Sequence, residues 1–292
     1  MPEHPVTTST TRPILVTTGE ALRREIATQK QQGRSIGLVP TMGALHEGHL
    51  SLVDASRAEQ DMTVVTVYVN PTQFDAGEDI DTYPRDLEAD LAVLGQRGAQ
   101  LVFAPSDSHM YRPGHDTYVE VGSVAQPLEG AVRPVHFRGV ATIVLKLFNL
   151  IMPDAAYFGQ KDYQQTLVVR QLVRDFDLPI EICVCPIVRE EDGLAMSSRN
   201  AHLSAEQRRR ALSLSQSLAL AADMVDGGER DAARIESAVR KELEQAGVEV
   251  DYVALVEDGT VTPVSHVEGP TRLAVAGKVG ETRLLDNRGF DF

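Results

Sequence analysis

Between residues 35 and 188, short apolar runs rich in β-formers alternate with stretches of helical period, and this alternation constrains the fold more than any single motif. "SIGLVP" (35–40) and "TVVTVYVN" (63–70) read as strands on either side of a helical "GHLSLVDASRAEQ" (48–60), which makes a β-α-β unit. The pattern repeats in a helical "RDLEADLAVLGQRG", a strand "QLVFAP", a helical "GVATIVLKLFNLI", a strand "AAYFG", a helical "YQQTLVVRQLVRDF" and a strand "IEICVCPIV". Strands separated by crossover helices predict an α/β fold: a doubly wound, mainly parallel, Rossmann-like sheet whose ligands bind at the carboxyl ends of its strands. From about residue 189 the texture changes. Two helical stretches, 204–225 and 230–247, precede "VDYVALVE", "TRLAVAGKV" and "ETRLLDN". A smaller α+β domain over 189–292 is therefore expected after a first domain over 1–188.

With 292 residues and 42% apolar content the chain can bury a sizeable core and divide in two. Its formal charge of −14 argues against nucleic acid or an anionic membrane as a partner. A bound anion must instead meet a local cluster of cations. No apolar run reaches the roughly 18 residues of a membrane span. The start, "MPEHPVTTSTTRP", lacks the basic-then-apolar order of a signal peptide, so a cytoplasmic location is expected. Cys183 and Cys185 sit two apart in a strand and point the same way. Two thiols are too few for a metal site and a disulfide suits a secreted protein, so both are expected in the core.

The stretch "PTMGALHEGHLSLV" (40–53) places His46 and His49 where a strand gives way to a helix. It has neither G-x-G-x-x-G nor a G-K-[ST] ending. Near a helix N-terminus, free N–H groups and the dipole favour an anion, and imidazolium would add donors to phosphate oxygens. Each histidine could equally be a helix cap or a partly buried structural residue. A metal shared at i and i+3 is a further reading, without a third ligand nearby.

The longer string decides the matter, because "PTMGALHEGHLSLV" resembles the H-x-G-H signature of the nucleotidylyltransferase and class I aminoacyl-tRNA synthetase superfamily, in the version of the pantoate–β-alanine ligase family. The resemblance continues in "VYVNPTQF" (67–74), "YPRDLEADL" (83–91), "HFRGVATIVLKLFN" (136–149), "YFGQKDYQQ" (157–165), "VREEDGLAMSSRN" (188–200) and "TRLLDN" (282–287). It implies ATP-dependent joining of pantoate to β-alanine, through a pantoyl adenylate, with release of AMP and pyrophosphate. It further implies Mg2+ accompanying ATP, no tightly bound organic cofactor, a homodimer, and small-molecule substrates as the only ligands.

By the same resemblance Met42, Gly43, Ala44, Leu45, His46, Glu47, Gly48 and His49 wrap ATP, with His49 as a proton donor and His46 beside it. Gly159, Gln160, Lys161 and Asp162 form a second nucleotide segment, in which Lys161 delivers a point charge to phosphates. Asp162 either caps the following helix or binds nucleotide. Relatives usually carry Glu where this chain has Gln160, which puts any role needing a carboxylate in doubt. Val188, Met196, Ser197, Ser198 and Arg199 match a mobile second signature that grips pyrophosphate, on a C-terminal domain acting as a lid; "SSRN" alone reads as a capping turn. Gln73 and Gln165 match positions that hold pantoate, and Gln73 also β-alanine. Arg133, His136 and Arg138 form a basic knot outside this core set. The polar stretch 74–86 is expected as an exposed flap. Asp90 falls at a position where relatives carry acidic residues, but Ala89 and Val93 cannot ligate, so no protein metal ligand is assigned. The rival readings are a cytidylyl- or adenylyltransferase acting on a small phosphorylated acceptor, and an ATP-binding sensor that keeps the fold without the chemistry.

Overall fold

The computed structural model describes residues 12–75 and 77–291. Most of the leading segment read against a signal peptide lies outside them. In chain order the elements are β1 (Ile14–Val16), α1 (Gly19–Gln31), β2 (Ile36–Thr41), α2 (Glu47–Glu59), β3 (Met62–Val67), α3 (Leu87–Gln96), β4 (Leu101–Phe103), α4 (Asp107–Met110), α5 (Glu129–Val132), α6 (His136–Ile151), β5 (Ala155–Gly159), α7 (Tyr163–Asp175), β6 (Glu181–Cys185), α8 (Ala205–Ala211), α9 (Ser213–Asp226), α10 (Ala232–Gln245), β7 (Glu249–Glu257), β8 (Thr271–Val279) and β9 (Thr282–Phe290). No described helix is long and apolar enough to cross a membrane.

Six strands form one sheet in the order β1-β4-β3-β2-β5-β6. The paired registers of β1 with β4, β4 with β3, β3 with β2 and β2 with β5 are all parallel. This is the expected doubly wound α/β sheet. One face, carrying Val39, Val65, Val102 and Tyr157, packs on Leu50 and Val53 of α2 and Leu91 and Leu94 of α3. The alternate residues Leu38, Val64, Leu101 and Phe103 are just as fully buried, so both faces are covered and the strands read as continuous apolar runs. Strand β1 and helix α1 have no counterpart in the sequence expectations. Three residues at a sheet edge, with Ile14 51% exposed and Leu15 36% exposed, carry too little pattern, and α1 buries only Leu22 and Ile26.

The antiparallel β7-β8-β9 sheet belongs to a second compact unit with α8, α9 and α10. The single helical stretch read over 204–225 divides at Leu212, where the Ser213 hydroxyl bonds back to the Arg210 carbonyl. The two units interleave along the chain. The first holds residues up to Glu120 with Arg138–Phe158 and Val169–Cys185; the second holds Val121–Phe137, Gly159–Val168 and the chain from Pro186 on. This differs from one boundary at 188/189, and side-chain bonding gives the reason. Tyr163 donates to the Thr260 carbonyl at 2.8 Å, Gln164 accepts from the Glu129 amide at 3.0 Å, and Arg283 forks onto Glu129 at 2.7 Å on both oxygens.

That Glu129 carboxylate is buried and also accepts from the Tyr252 hydroxyl at 2.8 Å. Burial alone would raise its pKa, but the Arg283 fork outweighs it and holds the carboxyl below its usual range. Stability from a depressed carboxylate is present above the unfolded value of about 4.3 and is lost as pH falls through the folded one. Arg283→Met, which leaves the carboxylate buried without its fork, is expected to cost about 3–5 kcal/mol in denaturant unfolding at neutral pH. The difference from the parent should narrow as pH falls below about 4.

Candidate active site

In the first unit the turn after β2 is built on two residues in the left-handed region, Gly43 at φ 86° and Ala44 at φ 51°. Asp90 of α3 holds it there: its two carboxylate oxygens accept from the Ala44 amide at 3.1 Å and the Leu45 amide at 2.9 Å. Asp90 is only 4% exposed, and burial pushes its pKa up against the pull of the two amides. Thr41 closes the root of the turn, donating to the Thr66 carbonyl at 2.6 Å and accepting from the Gly43 amide at 3.2 Å.

His46 is the N-cap of α2, its Nδ1 accepting from the Gly48 amide at 3.1 Å. In that bond Nδ1 acts as an acceptor. His46 is thus the helix cap that one reading of this residue offered. The His49 ring lies on it with centroids 4.1 Å apart. The Glu47 side chain turns away to pair with Arg97, which also meets Asp54 at 2.7 Å.

Gln73, whose default reading is a surface residue, is only 8% exposed. Its Oε1 accepts from Asn70 Nδ2 at 3.0 Å, and its Nε2 donates to the Met42 sulfur at 3.2 Å. Asn70 in turn donates to the Gly139 carbonyl at 3.2 Å. A Cβ at Gly139 would sit 2.3 Å from the Thr72 carbonyl oxygen, so only glycine lets α6 approach this segment. The structure thus brings Gln73 to Met42. In the stretch 74–86, expected as an exposed flap, Gly77, Asp81, Thr82, Arg85 and Asp86 are exposed, while Phe74 and Tyr83 are buried with ring centroids 6.2 Å apart.

In the second unit Gly159 caps a 3-10 turn over Gln160–Asp162 that runs into α7. A Cβ at Gly159 would meet nothing within 4 Å. Lys161 Nζ meets Asp162 Oδ1 at 3.2 Å, so Asp162 spends this oxygen on its neighbour. Gln165 is half-buried on the first turn of α7. Residues 188–196 form a hairpin closed by the Met196 amide on the Val188 carbonyl at 3.0 Å and the Glu190 amide on the Leu194 carbonyl at 2.8 Å. The hairpin turns at Gly193, with φ 93°. Ser197 accepts from the Arg199 amide at 3.3 Å and caps the short helical turn Ser198–His202. Asp286 grips Arg189 at the hairpin's root at 2.6 Å, and Asn287 donates to the carbonyls of Gln160 and Lys161.

The basic knot separates. Arg133 and His136, both buried, lie 3.3 Å apart in the second unit beside Glu129. Arg138, in the first, pairs with Glu120 at 2.7 Å over the Tyr118 ring. Cys183 and Cys185 are free and half-buried against the α2–α3 face, and burial pushes the Cys183 thiol up to about 11. Among the described residues no group of three or more His, Cys, Asp or Glu is placed to hold a metal ion.

Sequence analysis weighed Asp90 only as a metal ligand and gave no role to Asn70 or Asn287, although both lie inside the strings "VYVNPTQF" and "TRLLDN". For Asp90 a signal existed: it shares the apolar helix face of Leu87, Leu91 and Leu94, where a carboxylate needs a reason. The asparagines carry no such signal.

A parallel sheet with an H-x-G-H turn after β2 defines an α/β enzyme of the nucleotidyl-transferring class. The family model for pantoate-beta-alanine ligase matches residues 14–289. The pantothenate synthetase of Moorella thermoacetica is 51% identical over 94% of this chain and 97% of its own, and that of Aquifex aeolicus 49% over 94% and 98%. Among solved structures, pantothenate synthetase from Thermus thermophilus superposes with a TM-score of 0.90 at 45% identity, covering 94% of this chain and 98% of that one. Pantoate-beta-alanine ligase from Francisella tularensis, complexed with beta-gamma ATP and beta-alanine, gives 0.82 at 32%, covering 94% and 97%. The chain belongs to the pantoate–β-alanine ligase family.

A Cβ at position 43 would come within 2.9 Å of Asp90 Oδ2 and 3.0 Å of Val67 at a left-handed φ. Gly43→Ala is therefore expected to destabilise by about 1–3 kcal/mol, read from the urea midpoint.

Proposed function

We propose that this enzyme makes pantothenate in two steps at one ATP. In the first, the pantoate carboxylate attacks the α-phosphorus, forming an acyl phosphate anhydride and releasing pyrophosphate. In the second, the β-alanine amine attacks the acyl carbon, forming the amide, losing a proton and expelling AMP. The observation that carries the reading is the His46–His49 pair, with rings 4.1 Å apart at the start of α2, in a loop whose Met42 touches buried Gln73.

Both steps gather negative charge, first at phosphorus and then at the tetrahedral carbon, so catalysis is mainly positioning and charge stabilisation. His49 acts as proton donor, His46 lies beside it, and the backbone of Met42 to His49 wraps the triphosphate. Lys161 supplies the point charge, within the nucleotide segment Gly159, Gln160 and Asp162. Val188, Met196, Ser197, Ser198 and Arg199 hold the leaving pyrophosphate. Gln73 holds pantoate and then β-alanine, Gln165 pantoate; each offers donor and acceptor without competing as a nucleophile. The Francisella tularensis relative, complexed with beta-gamma ATP and beta-alanine, supports this substrate set. Mg2+ enters on the triphosphate. The two Asp90 oxygens already accept amides, so the residues present do not make a protein-held ion site and no step is assigned to one. The same reading makes the enzyme a cytoplasmic homodimer.

With ATP, Mg2+ and pantoate, labelled pyrophosphate should exchange into ATP without β-alanine, and adding β-alanine should release AMP and pantothenate. Exchange that instead needs a phosphorylated acceptor, or CTP, would transfer the reading to a nucleotidylyltransferase; nucleotide binding with no exchange for any acceptor would favour a sensor. His49→Ala and Lys161→Ala should each slow exchange about 10²–10³-fold with circular dichroism unchanged. Gln160→Glu should stay within about 1 kcal/mol in activation free energy, since size and hydrogen bonding are kept.

A further inference from the structure

Consecutive positions of β9 carry Asp286 and Asn287, so their side chains leave opposite faces of the strand. Both are buried, at 2% and 3% exposure. Asp286 is accounted for by Arg189, whose two Nη atoms reach it at 2.6 and 3.0 Å. Asn287 does something different. Its single amide nitrogen donates to two successive carbonyls, Gln160 at 2.9 Å and Lys161 at 3.0 Å, while its Oδ1 accepts from Arg272 Nη1 at 2.8 Å. Every polar atom of the side chain is used, and both donors go to the backbone on either side of the Lys161 peptide.

The 3-10 turn over Gln160–Asp162 spans three residues, too short to hold its own geometry strongly. A lysine ammonium on a four-carbon stem is a mobile charge, and its use at a transition state depends on where the stem starts. We propose that Asn287 is a positioning residue for adenylate formation. Its amide fixes the root of the Lys161 side chain, while Asp162 steadies the tip at 3.2 Å. The inference rests on the reading of Lys161 as a catalytic cation. The competing account is a purely structural one, in which Asn287 braces Arg272 across β8 and β9 and Lys161 is incidental.

A double-mutant cycle separates the two, with pantoate-dependent pyrophosphate exchange as the assay and thermal unfolding followed in parallel. Asn287→Ala is expected to lower kcat about tenfold or more with the KM for pantoate within about twofold. In a Lys161→Ala background the same substitution should cost less than about twofold, because the group it positions has gone. A near-normal Asn287→Ala rate overturns the proposal, as does a double variant whose losses multiply. If Lys161→Ala itself runs at near-normal rate, the Lys161 reading fails and this one with it, a result distinct from failure of Asn287 alone. Should Asn287→Ala not fold, Asn287→Ser, whose hydroxyl is too short to reach either carbonyl, is put through the same cycle with the same two outcomes decisive.

Discussion

The rest of the first unit depends on β2 lying between β3 and β5, with parallel register on both sides. Once β2 takes that place, the chain order reverses around it, and loops leaving the carboxyl ends of β2 and β5 diverge. An open turn can form there because no crossover has to cover it. Thr41 ends β2 and passes at once into the left-handed Gly43–Ala44 pair; Gly159 ends β5 and passes into the Lys161 turn. The burial of both faces of the sheet fixes these strand ends, so the positions of functional residues inherit the rigidity of an apolar core.

Around that frame a few buried polar side chains set the finer geometry. Asp90 holds two amides, Asn70 holds Gln73 and the Gly139 carbonyl, Asn287 holds two carbonyls, and Glu129 holds Arg283 and Tyr252. Burying such groups is costly unless their bonds are made, and made bonds in a low dielectric are stiff. Each also works at a distance in sequence: Asp90 lies 45 residues from Leu45, and Asn287 lies 126 from Lys161. The left-handed Ala44 is a conformation that a non-glycine residue adopts at a cost, and two captured amides offset it.

Charge shows the same economy. A chain of net −14 must recognise anionic substrates, so its cations cannot be left to form a general positive field. Arg97, Arg189, Arg208, Arg272 and Arg283 are each engaged by carboxylates.

By itself the sequence determined the architecture, since an apolar period of two or of a helical turn is written in neighbouring residues and decides what each segment buries. It also determined the family, because strings such as "PTMGALHEGHLSLV" and "GQKDYQQ" are local and carry the resemblance in neighbouring residues. It passed over β1, three residues at a sheet edge, and it placed a boundary at 188/189 because interleaved units leave no mark on local composition. Only the tertiary structure decided that Gln73 is buried against Met42, that Asp90 holds the turn after β2, and that Asn287 holds the turn after β5. These are hydrogen bonds of definite length between atoms that the fold alone brings within reach. An asparagine or aspartate in a string states what bonds it can make, and its partner is fixed only when the chain closes on itself.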